Sequence, residues 1–244
     1  VFRWIVALGL SGLGSAGGLI LGSLLLAFPE RVRSRAVPWL VSYAVGTLLG
    51  AALLGLLPEA LGVLSPRAAA LALLAGVLAF FLVEKLVLWH HWHGDSACGV
   101  HGSTAALLII GDTVHTFVDG VVIAAAVLVS LPLGVTTALA IVAHEIPQEA
   151  GDFGILLSAG YSRSRAMILN LTSALGGVLG ASAMLAFGTR VPEIVPFVVA
   201  FAAGSFLYVA MADLIPSLHH GRLDLGALQQ VVLIALGVLT IGVL

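Results

Sequence analysis

Seven ionisable side chains lie inside two apolar runs of this 244-residue chain. The first run reads Gly111-Asp-Thr-Val-His-Thr-Phe-Val-Asp-Gly120 and carries Asp112, His115 and Asp119. Their i, i+3, i+7 spacing puts all three on one face of a helix. The second reads Ala143-His-Glu-Ile-Pro-Gln-Glu-Ala-Gly-Asp152. There His144, Gln148 and Asp152 share a face by fours, and Glu145 and Glu149 form a parallel stripe beside it. Pro147 removes a backbone donor and frees the carbonyl of Ala143 next to this cluster. Two imidazoles and five carboxylates with no basic residue nearby need cations. A divalent metal is the obvious partner, and imidazole mixed with carboxylate suits zinc or iron, whereas all-oxygen sites suit magnesium or calcium. Three other readings stay open on the residues alone. The groups could lock two helices together by hydrogen bonds, or relay protons without metal. Alternatively, His-Glu-x-x-His is the zinc-binding helix motif of a metalloprotease, although here Gln148 holds the fifth place and Pro147 interrupts the turn.

The elements that carry these residues are membrane helices. The chain is 60% hydrophobic and 9% charged, against about 25% charged for soluble domains. Its 10 Lys and Arg and 12 Asp and Glu cannot cover a soluble surface. One cysteine, Cys98, excludes a disulfide scaffold, and a net charge of −2 gives no basic stripe for nucleic acid. Eight apolar stretches, near 2–28, 36–61, 67–89, 103–130, 133–159, 164–188, 192–218 and 226–244, each have the length of a spanning helix. The expected fold is an all-α membrane protein of eight transmembrane helices, a single transporter domain over 1–244. The first stretch is too long for a signal peptide and has no cleavage-like boundary. Val1 in place of Met leaves room for a missing leader.

Orientation and symmetry follow from the same rows. Connections after the odd-numbered helices hold seven Lys and Arg, and the opposite side holds three. Positive residues stay cytoplasmic, so a cell-membrane protein is expected with both termini outside and the 90–102 loop in the cytoplasm. Tyr43–Pro58 aligns with Phe201–Pro216 at six of sixteen positions, Gly46/Gly204 and Pro58/Pro216 among them. Helices 2 and 7 cross in opposite directions, so the match predicts an inverted repeat of helices 1–3 and 6–8 around helices 4 and 5. Such repeats place a binding site near the midplane and suit alternating access.

His144-Glu-Ile-Pro-Gln-Glu-Ala-Gly-Asp-Phe153 resembles the helix-5 signature of the ZIP (Zrt/Irt-like) metal transporters, and Gly111-Asp-x-x-His-x-Phe-x-Asp-Gly120 resembles their helix-4 signature. Phe80-Phe-Leu-Val-Glu-Lys85 and Phe206-Leu-Tyr-Val-Ala210 with Asp213 and Pro216 are similar as well. The resemblance spans helices 2 to 7. It implies eight helices, outward termini, frequent homodimers, a moving element of helices 1, 4, 5 and 6, and a zinc substrate, with iron(II) or manganese behind it. It places one metal on His115, Asp119, His144 and Gln148. An adjoining second position would use Thr116, Glu145 and Gln148, with Ser173 where some members have Glu. Thr116 replaces an Asn and Gln148 a bridging His or Glu, so one metal is expected. Ala51 and Gly55 stand where many relatives have Asp and His, so an extra helix-2 site is absent. Glu145, Glu149, Asp112 and Asp152 would orient ligands, accept protons or extend the path. The expected function is zinc import by alternating access, with an intramembrane metalloprotease as the alternative.

Weaker signals surround this centre. His90, His91, His93, Asp95, Cys98 and His101 form a ligand-rich loop, joined by His219 and His220 on the same side. It receives metal, or it is an interfacial belt around Trp89 and Trp92 with incidental histidines. Glu59 attracts cations to an entrance or merely ends a helix. Glu84 and Lys85 pair locally. Small residues such as Gly14, Gly18 and Gly22 in helix 1 and Gly176, Gly177 and Gly180 in helix 6 let helices approach closely. Lipid is the surrounding partner.

Overall fold

The computed structural model describes residues 1–92, 100–218 and 225–244, with side chains for 1–85, 108–218 and 226–244. The histidine-rich loop, Cys98, His219 and His220 lie outside the described side chains. The rods are α1 (Phe2–Leu25), α2 (Glu30–Leu61), α3 (Pro66–Trp92), α4 (Val100–Val129), α5 (Leu131–Ser158), α6 (Arg163–Gly188), α7 (Pro192–Leu218) and α8 (Leu225–Val243). No strand occurs among the described residues. Seven rods are long and apolar enough to cross a membrane. The exception is α5, whose apolar character is diluted by His144, Glu145, Gln148, Glu149 and Asp152.

Local chemistry sets the ends. Ser130 alone separates α4 from α5, and its hydroxyl accepts from Leu133 N–H at 3.3 Å while Pro132 fills the first turn. Ser162 caps α6 in the same way through Arg165 N–H. Gly160, at φ +86°, makes the turn between them, a backbone region that favours glycine. One boundary differs from the expectation. Arg31, Arg33 and Arg35 were expected in a connection, but α2 begins at Glu30 directly after Pro29. Pro29 supplies the extended residue before the helix, and the Glu30 carboxylate pairs with Arg33 one turn on. Charges at a wet helix end cost little, so their presence does not interrupt a helix.

The inverted repeat is visible in the packing. α4 lies along α6 as α5 lies along α1, and α2 lies along α8 as α7 lies along α3. α2 touches α5 as α7 touches α4. Exchanging 1 with 6, 2 with 7, 3 with 8 and 4 with 5 reproduces these pairs. The close contacts follow the same exchange. A methyl on Gly46 would overlap the Ile234 carbonyl, and one on Gly204 would overlap that of Leu73. Likewise Gly76 meets the Phe201 carbonyl, and Gly237 meets that of Tyr43. Both α2 and α7 contain a π-helical segment, Ala51–Leu56 and Val209–Leu214. The segments coincide in the register that pairs Tyr43 with Phe201. π-segments often mark functional sites, because the extra residue per turn redirects the helix.

α1, α4, α5 and α6 together form a four-helix bundle, flanked by the pairs α2/α8 and α3/α7. The largest core cluster joins Val122–Val127 of α4 and Ala138, Ala140 and Ile141 of α5 to the π-segment of α2 and to Val199–Phe206 of α7. α3 and α8 expose most of their apolar surface, as helices facing lipid do.

Candidate metal site

The two central helices bring four side chains to one point. His115 and Asp119 come from α4, one turn apart, and His144 and Glu145 come from α5. The two imidazole Nε2 atoms stand 3.2 Å apart. Asp119 Oδ2 is 3.7 Å from His115 Nε2 and 3.4 Å from His144 Nε2. Glu145 Oε1 is 3.5 Å and 3.7 Å from the same two nitrogens. All four donor atoms lie within 4.8 Å of one another. Zinc–ligand bonds of about 2.0–2.2 Å imply a tetrahedral edge of about 3.3–3.6 Å. The recorded separations straddle that value.

The donors are prepared for a cation rather than for each other. His144 Nδ1 is 3.1 Å from the Ala140 carbonyl. A carbonyl only accepts, so Nδ1 carries the proton and the Nε2 lone pair points to the centre. Asp119 Oδ2 and both oxygens of Glu145 accept no hydrogen bond, although Asp119 and Glu145 are buried. Buried carboxylates without donors are costly unless a cation meets them. The walls are aromatic. Phe80 of α3 packs edge-on to His115 at 6.0 Å, and Phe206 of α7 packs against His144 at 6.3 Å. With His115 against His144 at 5.5 Å they make a row of four rings, which fixes both imidazoles from the α3/α7 pair.

The two ends of the bundle differ in exposure. The chain termini lie at the α4–α5 turn, where Arg3 donates to the Leu128 carbonyl at 3.0 Å. Between that end and the site the bundle is dry: Val122–Val127 are at most 1% exposed. A cleft of about 540 Å³ opens at that end, lined by Gly55, Pro58, Glu59, Ser130 and Thr136. Toward the other end Gln148 and Asp152 are half-buried, Asp213 is exposed, and the His115 side chain keeps 16% exposure.

Other expected residues are placed differently. Gln148 follows His144 by one turn and is half-buried. Glu145, expected at an adjoining position, stands with His115, Asp119 and His144 instead. The Thr116 hydroxyl donates to backbone carbonyls, that of Ser173 at 2.9 Å and that of Asp112 at 3.0 Å, so it ties α4 to α6. Asp112 accepts from the Ser173 hydroxyl, and Glu149 is fully buried. Glu84 takes its hydrogen bond from Tyr208 of α7 at 2.5 Å, within the α3/α7 pair, rather than from Lys85. Asn170 of α6 was not anticipated. It is fully buried with no side-chain partner. An amide in the apolar run Met167–Leu171, one turn before Ser173, was the signal in the sequence.

Comparison with known proteins agrees with this arrangement. Residues 93–244 match the family described as ZIP zinc transporter. Zinc transporter ZIP13 of Pongo abelii is 36% identical over 96% of this chain and 76% of its own length. The chain belongs to the ZIP zinc transporter family. The human ZIP13 is 32% identical over 96% of the chain and 79% of its own length, and human zinc transporter ZIP10 is 37% identical over 56% of the chain and 18% of its own length. Members of this family are transporters, not enzymes, so the metalloprotease alternative is set aside. This ZIP chain is thus a multi-pass membrane protein with a four-donor cluster on the two helices that carry the family signatures.

Proposed function

We propose that this chain transports a divalent metal, zinc first, and holds it at His115, Asp119, His144 and Glu145, with Gln148 or water able to enter the shell. The observation that carries the reading is the convergence of two imidazole nitrogens and two unpartnered carboxylate oxygens at 3.2–3.7 Å within an apolar bundle. Two nitrogens with two oxygens match zinc and iron(II) better than magnesium or calcium. Glu145 supplies charge to this first position and leaves Thr116 without a metal role.

The whole chain acts as one transporter domain and works by alternating access. The dry outer half of α4 and α5 blocks the path toward the termini, while the half-buried Gln148 and Asp152 mark the path toward the 90–102 connection. The excess of Lys and Arg on that side makes it cytoplasmic, so the direction is import. Metal leaves the site past α5 and reaches the cytoplasm. The working unit is a homodimer, which sedimentation of the purified protein in detergent would measure.

The test is zinc uptake by liposomes containing the purified protein. Wild type should accumulate zinc. His115→Ala and His144→Ala should each lower uptake at least tenfold, since losing a direct ligand should cost no less than losing a supporting partner, which costs roughly 10–100-fold. Uptake at wild-type rate in both variants would refute the site.

A further inference from the structure

The bundle of α1, α4, α5 and α6 has a second polar level. Glu145 faces His115 at 3.5 Å. α4 and α5 run in opposite directions, so one turn toward the 90–102 end leads from His115 to Asp112 and from Glu145 to Glu149. α6 adds Ser173, whose hydroxyl donates to Asp112, and one turn below it Asn170. α1 closes the fourth side with Gly22: a methyl there would come within 3.1 Å of Glu149 Cβ and 2.9 Å of Ala150 N.

Asp112 is 4% exposed, and Glu149, Asn170 and Ser173 are 0% exposed. Yet Asp112 Oδ1, both oxygens of Glu149, and both polar atoms of the Asn170 amide have no hydrogen-bond partner. Two carboxylates and an amide without partners in an apolar bundle are costly. A helix lock would have used these atoms on one another. Only Asp112 Oδ2 is tied down, by Ser173, which leaves Oδ1 turned to the interior.

We propose that Asp112, Glu149 and the side-chain carbonyl of Asn170 form a second cation station, made of oxygen alone, one helical turn from the imidazole site on its 90–102 side. The pitch of a helix puts the two about 5.4 Å apart along the axis, too far for a shared bridging ligand. The station uses no donor of the first site and is distinct from the adjoining position expected from Thr116, Glu145 and Gln148. Two carboxylate oxygens and an amide carbonyl, completed by water, suit a hard six-coordinate dication more than zinc. This rests on the transport reading: a weaker oxygen station beside a tighter nitrogen site lets a metal leave the imidazoles by steps, as conduction through successive sites requires.

Manganese(II) is the probe, applied to the full chain in detergent with zinc already bound. Electron paramagnetic resonance should report one bound manganese(II) per chain in addition to the zinc. Glu149→Gln should weaken manganese(II) binding at least tenfold while the zinc content is unchanged. Asn170→Asp adds a charge without adding bulk and should tighten it roughly tenfold, because affinity for hard cations follows ligand charge. Asn170→Asp keeps the test decisive if Glu149→Gln does not fold. Zinc-loaded wild type that binds no manganese(II), or binding that Asn170→Asp leaves unchanged, would overturn the station. His115→Ala with His144→Ala should keep manganese(II) bound. Zinc uptake surviving that double change would instead refute the transport site, so the two failures are separate.

Discussion

The chemistry at the residue scale depends on adjacency. His144 and Glu145 are neighbours in sequence and point about 100° apart around α5, so they straddle the face that α4 presents. A column of residues at every fourth position groups His144 with Gln148 and Asp152, while the family resemblance set Gln148 beside the metal and Glu145 at an adjoining position; neither showed that Glu145 turns toward His115. The α4 residues His115 and Asp119 are one turn apart and were legible, because their spacing puts them on one face of a single helix. Asn170 escaped because a single amide in an apolar run has no periodicity. Gln148 now becomes informative. It has one neutral carbonyl oxygen where a bridging Glu would have two charged ones. Gln148→Glu should place a bridge between two metals about 3.5–4 Å apart. Metal analysis after desalting should then rise from one retained zinc per chain toward two. A variant that still retains one would show that Gln148 does not reach the site.

Spacing between helices is set by small residues at the element scale. Gly120 and Gly180 bring α4 and α6 together so closely that a methyl on either would overlap a backbone carbonyl, of Gly177 and of Phe117 respectively. Gly9 of α1 has nothing within 4 Å of the same position. Gly120→Ala should therefore destabilise the purified protein by about 1–3 kcal/mol, the usual cost of overpacking, and Gly9→Ala should leave it unchanged or slightly more stable. Thermal unfolding in detergent compares them; equal melting temperatures would contradict the packing. The Gly and Pro pairs of α2 and α7 made the repeat readable. The π-segments were not readable: Ala51–Leu56 is apolar, Val209–Leu214 is apolar but for Asp213, and an extra residue per turn leaves no mark on composition. The start of α2 was misjudged for the opposite reason: its arginines looked like a connection, but helices tolerate charge where water reaches them.

The same symmetry organises the whole molecule. Exchange of the two halves maps each flanking helix pair onto the other and leaves α4 and α5 facing each other at the centre. A repeat of this kind can present the site to either side by changing how the central bundle sits between the pairs. Orientation in the membrane rests on the count of Lys and Arg and on the family resemblance, not on the packing of the helices. Cys98, the single cysteine, lies in the 90–102 connection. A membrane-impermeant thiol reagent should label it in inside-out vesicles and spare it in intact cells. Labelling in intact cells would reverse the orientation and the direction of transport.

The central claim is that one dication sits among His115, Asp119, His144 and Glu145. An anomalous difference map at the zinc edge, from crystals grown with equimolar zinc, tests it directly. The account predicts one strong peak about 2.0–2.2 Å from both Nε2 atoms and from an oxygen of each carboxylate. A map whose strongest peak lies away from these four donors, with none between α4 and α5, would contradict it.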